Sequence, residues 1–205
     1  MRIGVLASGA GTILSSLIEA GLGIVVVLVD RHCAAEQVAA SAKIPVVVLE
    51  RKDFGTSFDR EAYSASVADA LAPYRCDLIA MAGFGTVLGR AFHAAFPARV
   101  LNTHPALLPA FKGWHAVADA LAAGVKVTGC TVHVATIEVD AGPIIAQEAV
   151  PVLAGDSVET LHERIKAVER RLYPKAIAAF AATLGAEQAA SEANQSQTGQ
   201  KGTGS

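Results

Sequence analysis

Residues 2–30, RIGVLASGAGTILSSLIEAGLGIVVVLVD, decide the fold. Arg2–Ala7 is a short apolar run that reads as a strand, and the small residues Ser8–Gly11 make a turn. Thr12–Ala20 places apolar residues at helical spacing, and Gly23–Val29 is a second strand with no polar interruption. Strands apolar on both faces are buried on both faces, as in a parallel sheet, and a helix between two of them is the crossover. The pattern then repeats. Helix Ala34–Ala42, strand Ile44–Leu49, a helix over Phe58–Leu71 capped by Asp59 or Ser57, strand Asp77–Ala82, helix Leu88–Ala95 and a strand at Arg99–Leu101 continue the alternation. That is the signature of a doubly wound α/β sheet. Further on, Trp114–Ala123 reads as a helix, and Lys126–Ala135 and Ile144–Val150 as strands whose antiparallel pairing makes the sheet mixed. Thr160–Leu184 is helical, with Pro174 kinking or restarting it. The expected architecture is Rossmann-like: a mixed, mostly parallel sheet with helices on both faces, in one domain spanning residues 1–186. Residues 187–205, poor in apolar side chains and rich in Gln, Ser and Gly, are expected to form a disordered C-terminal tail.

The 205 residues suit one sizeable core, and 52% of them are hydrophobic. A net charge of −2, with acids and bases interspersed, offers no basic stripe to nucleic acid or a membrane surface. The apolar run Ile3–Ala7 is too short for a signal-peptide core, and no run is long enough for a membrane span. Cys33, Cys76 and Cys130 are far apart and form no CxxC, which fits reduced thiols and a cytoplasmic location.

Three stretches can carry chemistry. In RVLNTHPALLP, residues 99–109, Pro105 and Pro109 stop any helix, and Asn102 and His104 are expected in the break after the strand. An extended i, i+2 pair points both side chains to one side. A neutral hydrogen-bond donor beside a proton carrier is what acyl transfer to an amine needs. A polar turn with a surface histidine explains the same residues. Ser8–Thr12 opens a helix with small residues, so backbone N–H groups and the helix dipole can receive a phosphate. Leu14 occupies the third small position of a dinucleotide fingerprint, yet Asp30 ends the second strand where such a fold would bind an adenine ribose. An NAD-type site and a plain glycine turn therefore stay open. In IEVDAGP, residues 137–143, Asp140 either stands beside His104 across an open cleft and stabilises its imidazolium or caps an Asx turn. His162-Glu163 begins a zinc HExxH motif, but Lys166 stands where the closing histidine belongs, and no metal is expected. No GxSxG motif and no Cys–His pairing supports a covalent route.

Together LNTHPALLPAFKG, TVHVATIEVDAGPI and the SGAGT loop resemble the phosphoribosylglycinamide formyltransferases, a branch of the folate-dependent formyltransferases. The resemblance runs from Met1 to about Leu184, and GDSVETLHERIKAVERRLYP narrows it to that branch. It implies 10-formyltetrahydrofolate as co-substrate, glycinamide ribonucleotide as acceptor, no metal, and a monomer or homodimer. Asn102 would hold the formyl oxygen, His104 would move protons, and Asp140 would orient His104. Gly11, Thr12 and Ile13 would take the ribonucleotide phosphate, with Lys166 near it and Glu169 near the ribose. Arg60 would meet the folate tail, and Gly85, Thr86, Val87 and Leu88 would line the folate pocket together with Asn102. Thr131 and His133 would sit beneath Asp140. Many relatives have Asn in place of Ile13, and Met followed by Arg or Lys in place of Gly85-Thr86. The folate pocket is accordingly expected to be roomier and less basic. The resemblance leaves a formyltetrahydrofolate hydrolase as the alternative; such relatives carry a regulatory domain ahead of the first strand, and here that strand begins at Arg2. A methionyl-tRNA formyltransferase would need a further RNA-binding domain, and only the polar tail is expected after Leu184.

Overall fold

A computed structural model describes residues 1–199, with side chains through Ala186. Seven strands form one sheet: β1 Ile3–Ala7, β2 Ile24–Val29, β3 Val46–Val48, β4 Leu78–Met81, β5 Val100–His104, β6 Val127–Val134 and β7 Ile144–Pro151. Their order is β3-β2-β1-β4-β5-β6-β7. The first five are parallel, and β6 and β7 run antiparallel, as the apolar runs and the irregular loop between them predict.

The helices divide between the two faces because strand residues alternate. Ile3, Val5 and Ala7 of β1 pack on α1 (Thr12–Glu19), α2 (Ala34–Ser41) and α6 (Val158–Gly199), through Leu14, Leu17, Ala35, Ala39, Tyr173 and Ile177. Leu6, Val26, Leu28 and Ile79 pack on α3 (Arg60–Leu71) and α4 (Arg90–Ala95), through Val67, Leu71, Phe92 and Phe96. Burying each of the Val, Leu, Ile and Phe side chains among them contributes roughly 1.5–3 kcal/mol. A smaller cluster seats α5 (Ala116–Ala122) on β6, β7 and α6 through Val117, Cys130, Val150, Leu161 and Ile165.

Element ends follow local chemistry. Asp59 caps α3 by accepting from the Ala62 N–H at 2.9 Å. Glu61 reaches across to the open start of α4, accepting from Arg90 N and Ala91 N. Among the described residues no helix is long and apolar enough to cross a membrane.

One helix departs from the sequence expectation. α6 passes through Pro174 without a break and is helical to Gly199, beyond the expected end of the domain. The Ala-, Glu- and Gln-rich composition after residue 184 is compatible with helix, so propensity alone does not stop it. Residues 200–205 of the expected tail lie outside the described residues. We propose that the folding unit nonetheless ends at residue 186, because the segment beyond it is poor in large apolar side chains. Deleting 187–205 is expected to shift the melting temperature by no more than ~2 °C, measured by scanning calorimetry; a larger drop would place that segment in the core.

Candidate active site

β1 and β4 are neighbours whose connecting helices lie on opposite faces, and open α/β sheets bind ligands at the carboxyl ends of such a pair. A cavity of about 470 Å³ lies there, lined by the turn after β1, the loop after β4, the end of β5, the loop around Asp140 and one side of α6.

β5 does not end at Leu101. It continues to His104, because β6 pairs with it along its whole length: Leu101 opposite Val134, Asn102 opposite His133, Thr103 opposite Val132 and His104 opposite Thr131. Asn102 and His104 therefore sit on paired backbone and not in a break, and Pro105 is where the strand stops. Thr103, between them, points to the other face and donates to the Glu169 carboxylate on α6.

His104 is almost fully buried, 4% exposed, with acceptors at both ring nitrogens. Nε2 is 2.7 Å from the Phe111 carbonyl and Nδ1 is 3.2 Å from Asp140 Oδ2. A carbonyl accepts only, so Nε2 carries a proton; a proton at Nδ1 as well makes the ring an imidazolium against an ionised Asp140. The Phe111 carbonyl also covers the Nε2 direction, so any substrate atom that takes this proton has to displace the loop at 110–113.

Asp140 reaches this position through an uncommon backbone. Its φ is 54°, in the left-handed region, and Gly142 packs so closely under the Val134 carbonyl that a Cβ there has no room. Asp140 Oδ2 also accepts from the Gly113 N–H at 2.8 Å, tying its loop to the one that follows the prolines. His104 and Asp140 do not face each other across an open cleft, as the sequence suggests; both are buried, because the two loops close over them.

His133 and Thr131 divide the roles assigned to them jointly. His133 Nε2 lies 3.6 Å from Asp140 Oδ1. Its Nδ1 faces the Val134 carbonyl at 3.1 Å, and Asn102 Nδ2 stands 3.5 Å from Nε2. In the neutral ring that fits these contacts, Nδ1–H donates and Nε2 accepts from Asn102, which leaves the second amide N–H of Asn102 for the cleft. Thr131 does not sit beneath Asp140. Its hydroxyl donates to Ala106 O and accepts from Leu108 N and Gln147 Nε2, pinning the proline loop to β6.

Gly11 caps α1 with φ 75° and no side-chain cap, so the first-turn N–H groups of Thr12 and Ile13 face the cavity uncapped. The Ile13 side chain turns into the core, 7% exposed, leaving its backbone as the donor. Lys166 lines the cavity, but its ammonium is held by Glu163 at 2.7 Å. Burial pushes the Glu169 carboxyl above its ordinary range, against the Thr103 hydrogen bond and the charge of Lys166. His162, noted in sequence only as half of a failed metal motif, lines the cavity one turn before Lys166. Arg60, first in α3, is exposed and stands off the cavity lining.

Gly85, Thr86, Val87 and Leu88 line the cavity as expected, and two guanidiniums stand beside this loop. A Cβ on Gly85 would lie 3.2 Å from Arg31 Nη2, and Thr86 Oγ1 is 3.5 Å from Arg51 Nη1. The room left by a small side chain at 85 is taken by a guanidinium. Asp30, which kept a dinucleotide site open, is fully buried and accepts from Thr86 and Arg31. Burial opposes its ionisation, yet hydrogen bonds from Arg31, Ser8 and Thr86 outweigh burial and keep its pKa below the ordinary value. Fully buried, the carboxylate is out of reach of a ribose diol.

The site is that of a group-transferring enzyme on a doubly wound sheet. Residues 1–177 match the formyl transferase family, and the chain belongs to it. Over 185 residues it is 51% identical to phosphoribosylglycinamide formyltransferase from Mycobacterium tuberculosis, covering 88% of this chain and 85% of that one. Among solved structures it is similar to glycinamide ribonucleotide transformylase 1 from Symbiobacterium toebii (43% identity, TM-score 0.80, 86% of this chain and 85% of that one). It is also similar to phosphoribosylglycinamide formyltransferase from Brucella melitensis (41% identity, TM-score 0.80, 88% and 95%).

Burial disfavours the charged rings of His93, His133 and His162, lowering the pKa of each. The unfolded chain therefore binds protons first as the pH falls through about 6.5, so stability present above that pH is lost on acidification. The melting temperature is expected to drop between about pH 7 and about pH 5, and His133→Gln to make that drop smaller. An unchanged slope in the variant would mean that His133 does not titrate differently in the two states.

Proposed function

We infer that this chain transfers the formyl group of 10-formyltetrahydrofolate to the amine of glycinamide ribonucleotide in de novo purine synthesis. The observation that carries this reading is the convergence of Asn102, His104 and Asp140 in the cavity that also holds the uncapped start of α1. Family membership and the 51% identical relative support it. The acceptor's phosphate would lie on the N–H groups of Gly11, Thr12 and Ile13, with Lys166 swinging from Glu163 to meet it and Glu169 near the ribose. The folate would lie along Gly85, Thr86, Val87 and Leu88, and Arg60 would have to be met outside the cavity. The protein would act in the cytoplasm, as a monomer or homodimer, and the transfer would call on no metal.

The amine attacks the formyl carbon, forming a new C–N bond as the carbonyl electrons move to oxygen. The free N–H of Asn102 and the imidazolium of His104 stabilise that oxyanion, a contribution of about 3–4 kcal/mol per well-placed donor. The intermediate collapses by breaking the bond to the folate nitrogen, which takes a proton from His104 directly or through one water. The imidazole then takes the proton that the attacking nitrogen gives up, which restores the imidazolium that Asp140 keeps aimed. Two substrates held in one cleft gain proximity as well.

Mixing the protein with 10-formyltetrahydrofolate, with and without glycinamide ribonucleotide, and following folate absorbance tests the reaction. Turnover is expected only with the amine present; formate release that does not depend on it would identify a hydrolase.

His104 and Asp140 are expected to act as one unit. His104→Ala should lower kcat by ~10²–10⁴, and Asp140→Asn should approach that loss. The double variant should then cost far less than the product of the single losses. Multiplicative losses in a double-mutant cycle would separate the two residues.

A further inference from the structure

His162 is a cavity-lining side chain to which the transfer chemistry gives no task. Its place follows from the direction of α6. Thr103 donates to Glu169 and, two residues earlier on β5, the Leu101 carbonyl accepts from Tyr173, so α6 runs antiparallel to β5. Its first turns therefore project beyond the carboxyl ends of the strands, where α1 starts. His162, Lys166 and Glu169 recur at i, i+4 and i+7 on one side of the helix, and all three line the cavity. α1 is the neighbour of α6 on the same face of the sheet, its Leu14 and Leu17 sharing one cluster with Tyr173 and Ile177. The uncapped N–H groups of Thr12 and Ile13 and the His162 imidazole thus look into one space from adjacent helices.

That space is short of positive charge. A phosphate monoester carries about −1.5 to −2 near pH 7, against roughly +0.5 at a helix N-terminus. Among the described residues Lys166 is the only lysine or arginine lining the cavity, and Glu163 holds its ammonium at 2.7 Å. His104 and His133 are engaged at both ring nitrogens. His93 stands on α4, which packs on the opposite face of the sheet. His162 has no hydrogen bond at either ring nitrogen among the described residues, and the charges acting on it are Lys166 and Glu163 of its own helix. Across the cavity the titratable groups are His104 of β5, His133 of β6 and Asp140. The first turn of α1 carries no charge. His115 and Asp119 at the start of α5 do not line the cavity, Glu148 of β7 is bound by Arg171, and Asp156 ahead of α6 is bound by Arg164. Burial, with Lys166 beside it, holds the His162 imidazole below its ordinary pKa, so the ring is neutral near pH 7 while the cavity is empty.

We propose that His162 is a further binding residue for the acceptor: as an imidazolium it meets the phosphate from the α6 side, and a proton is taken up there as the acceptor binds. The inference rests on the function assigned above, in which the phosphate lies on the N–H groups of Gly11, Thr12 and Ile13. A dianion within contact favours the charged ring, which the empty cavity does not. His162 thereby adds to the preference for a phosphate-bearing acceptor, and its contribution fades as the pH rises and the proton is lost. Because the proton goes to the binding site and not to the reacting atoms, kcat is left to His104 and Asp140.

The test uses the full chain with His162→Gln and His162→Lys. His162→Gln is expected to raise KM for glycinamide ribonucleotide about 10-fold near pH 7, the scale of one charge-assisted hydrogen bond. kcat and the KM for 10-formyltetrahydrofolate should hold. His162→Lys should restore most of the affinity and keep it at about pH 8.5, where the wild type has lost the contact. Calorimetry of ribose 5-phosphate near pH 7, in two buffers of different ionisation heat, reads the contact without turnover. The wild type is expected to take up a fraction of a proton on binding, and both variants none. Uptake that survives in His162→Gln would overturn the proposal, as would an unchanged KM for the ribonucleotide or a rise confined to the folate donor. If the wild type binds no ribose 5-phosphate, the phosphate site fails and this contact with it. Uptake in the wild type that His162→Gln abolishes supports the contact even if formyl transfer itself fails.

Discussion

The antiparallel pairing of β5 with β6 is the interaction on which the rest of the site depends. Directly opposed residues of such a pair share a face. Leu101 with Val134 and Thr103 with Val132 face α6, while Asn102 with His133 and His104 with Thr131 face the other way. The register is held from the apolar side: Leu101, Val132 and Val134 belong to the core around Tyr173 and Ile177, and the buried Tyr173 hydroxyl donates to the Leu101 carbonyl at 2.8 Å. A slip of one residue would turn Leu101 toward the cleft and Asn102 into the core. Hydrophobic packing on one side of the strand thus sets hydrogen-bond geometry on the other.

Around that pair, loops are fastened by polar groups that have no direct part in the transfer. Thr131 and Gln147 hold the proline segment to the sheet, and the Gly113 N–H holds Asp140 to the segment that follows. Removing water from His104 and Asp140 is costly, and it is offset only when each charge finds a partner at both ends. Here the imidazole has Phe111 and Asp140, and the carboxylate has Gly113 and His104. The pair is therefore a property of two loops and a strand, and it needs all three.

Strand and helix order were legible from residue 2 onward, because runs such as Ile24–Val29 admit few alternatives and each is separated from the next by a helix-length segment. Asn102, His104 and Asp140 were legible as candidates, since each is a polar side chain within a few residues of a proline or glycine that interrupts regular structure. The continuation of β5 through His104 was not, because it comes from pairing with a strand more than twenty residues later in the chain. Nor was the division of labour between Thr131 and His133, which local sequence presents as one alternating run. The guanidiniums beside Gly85-Thr86 were not legible either, for a similar reason. They belong to Arg31 and Arg51, which come from two other loops, and only the parallel sheet brings them there.

The left-handed backbone at Asp140 bears on which side chains suit this position. Asparagine and aspartate enter that region more readily than other side chains, whereas a longer or branched residue enters it at greater strain. Glutamate, the exchange usually regarded as mildest, would be disfavoured by the backbone and would also carry its carboxylate one bond too far from the His104 ring. Asparagine fits the turn but surrenders the charge. Aspartate is thus the side chain that meets both demands at position 140, the left-handed main chain and a carboxylate at the reach of the His104 ring.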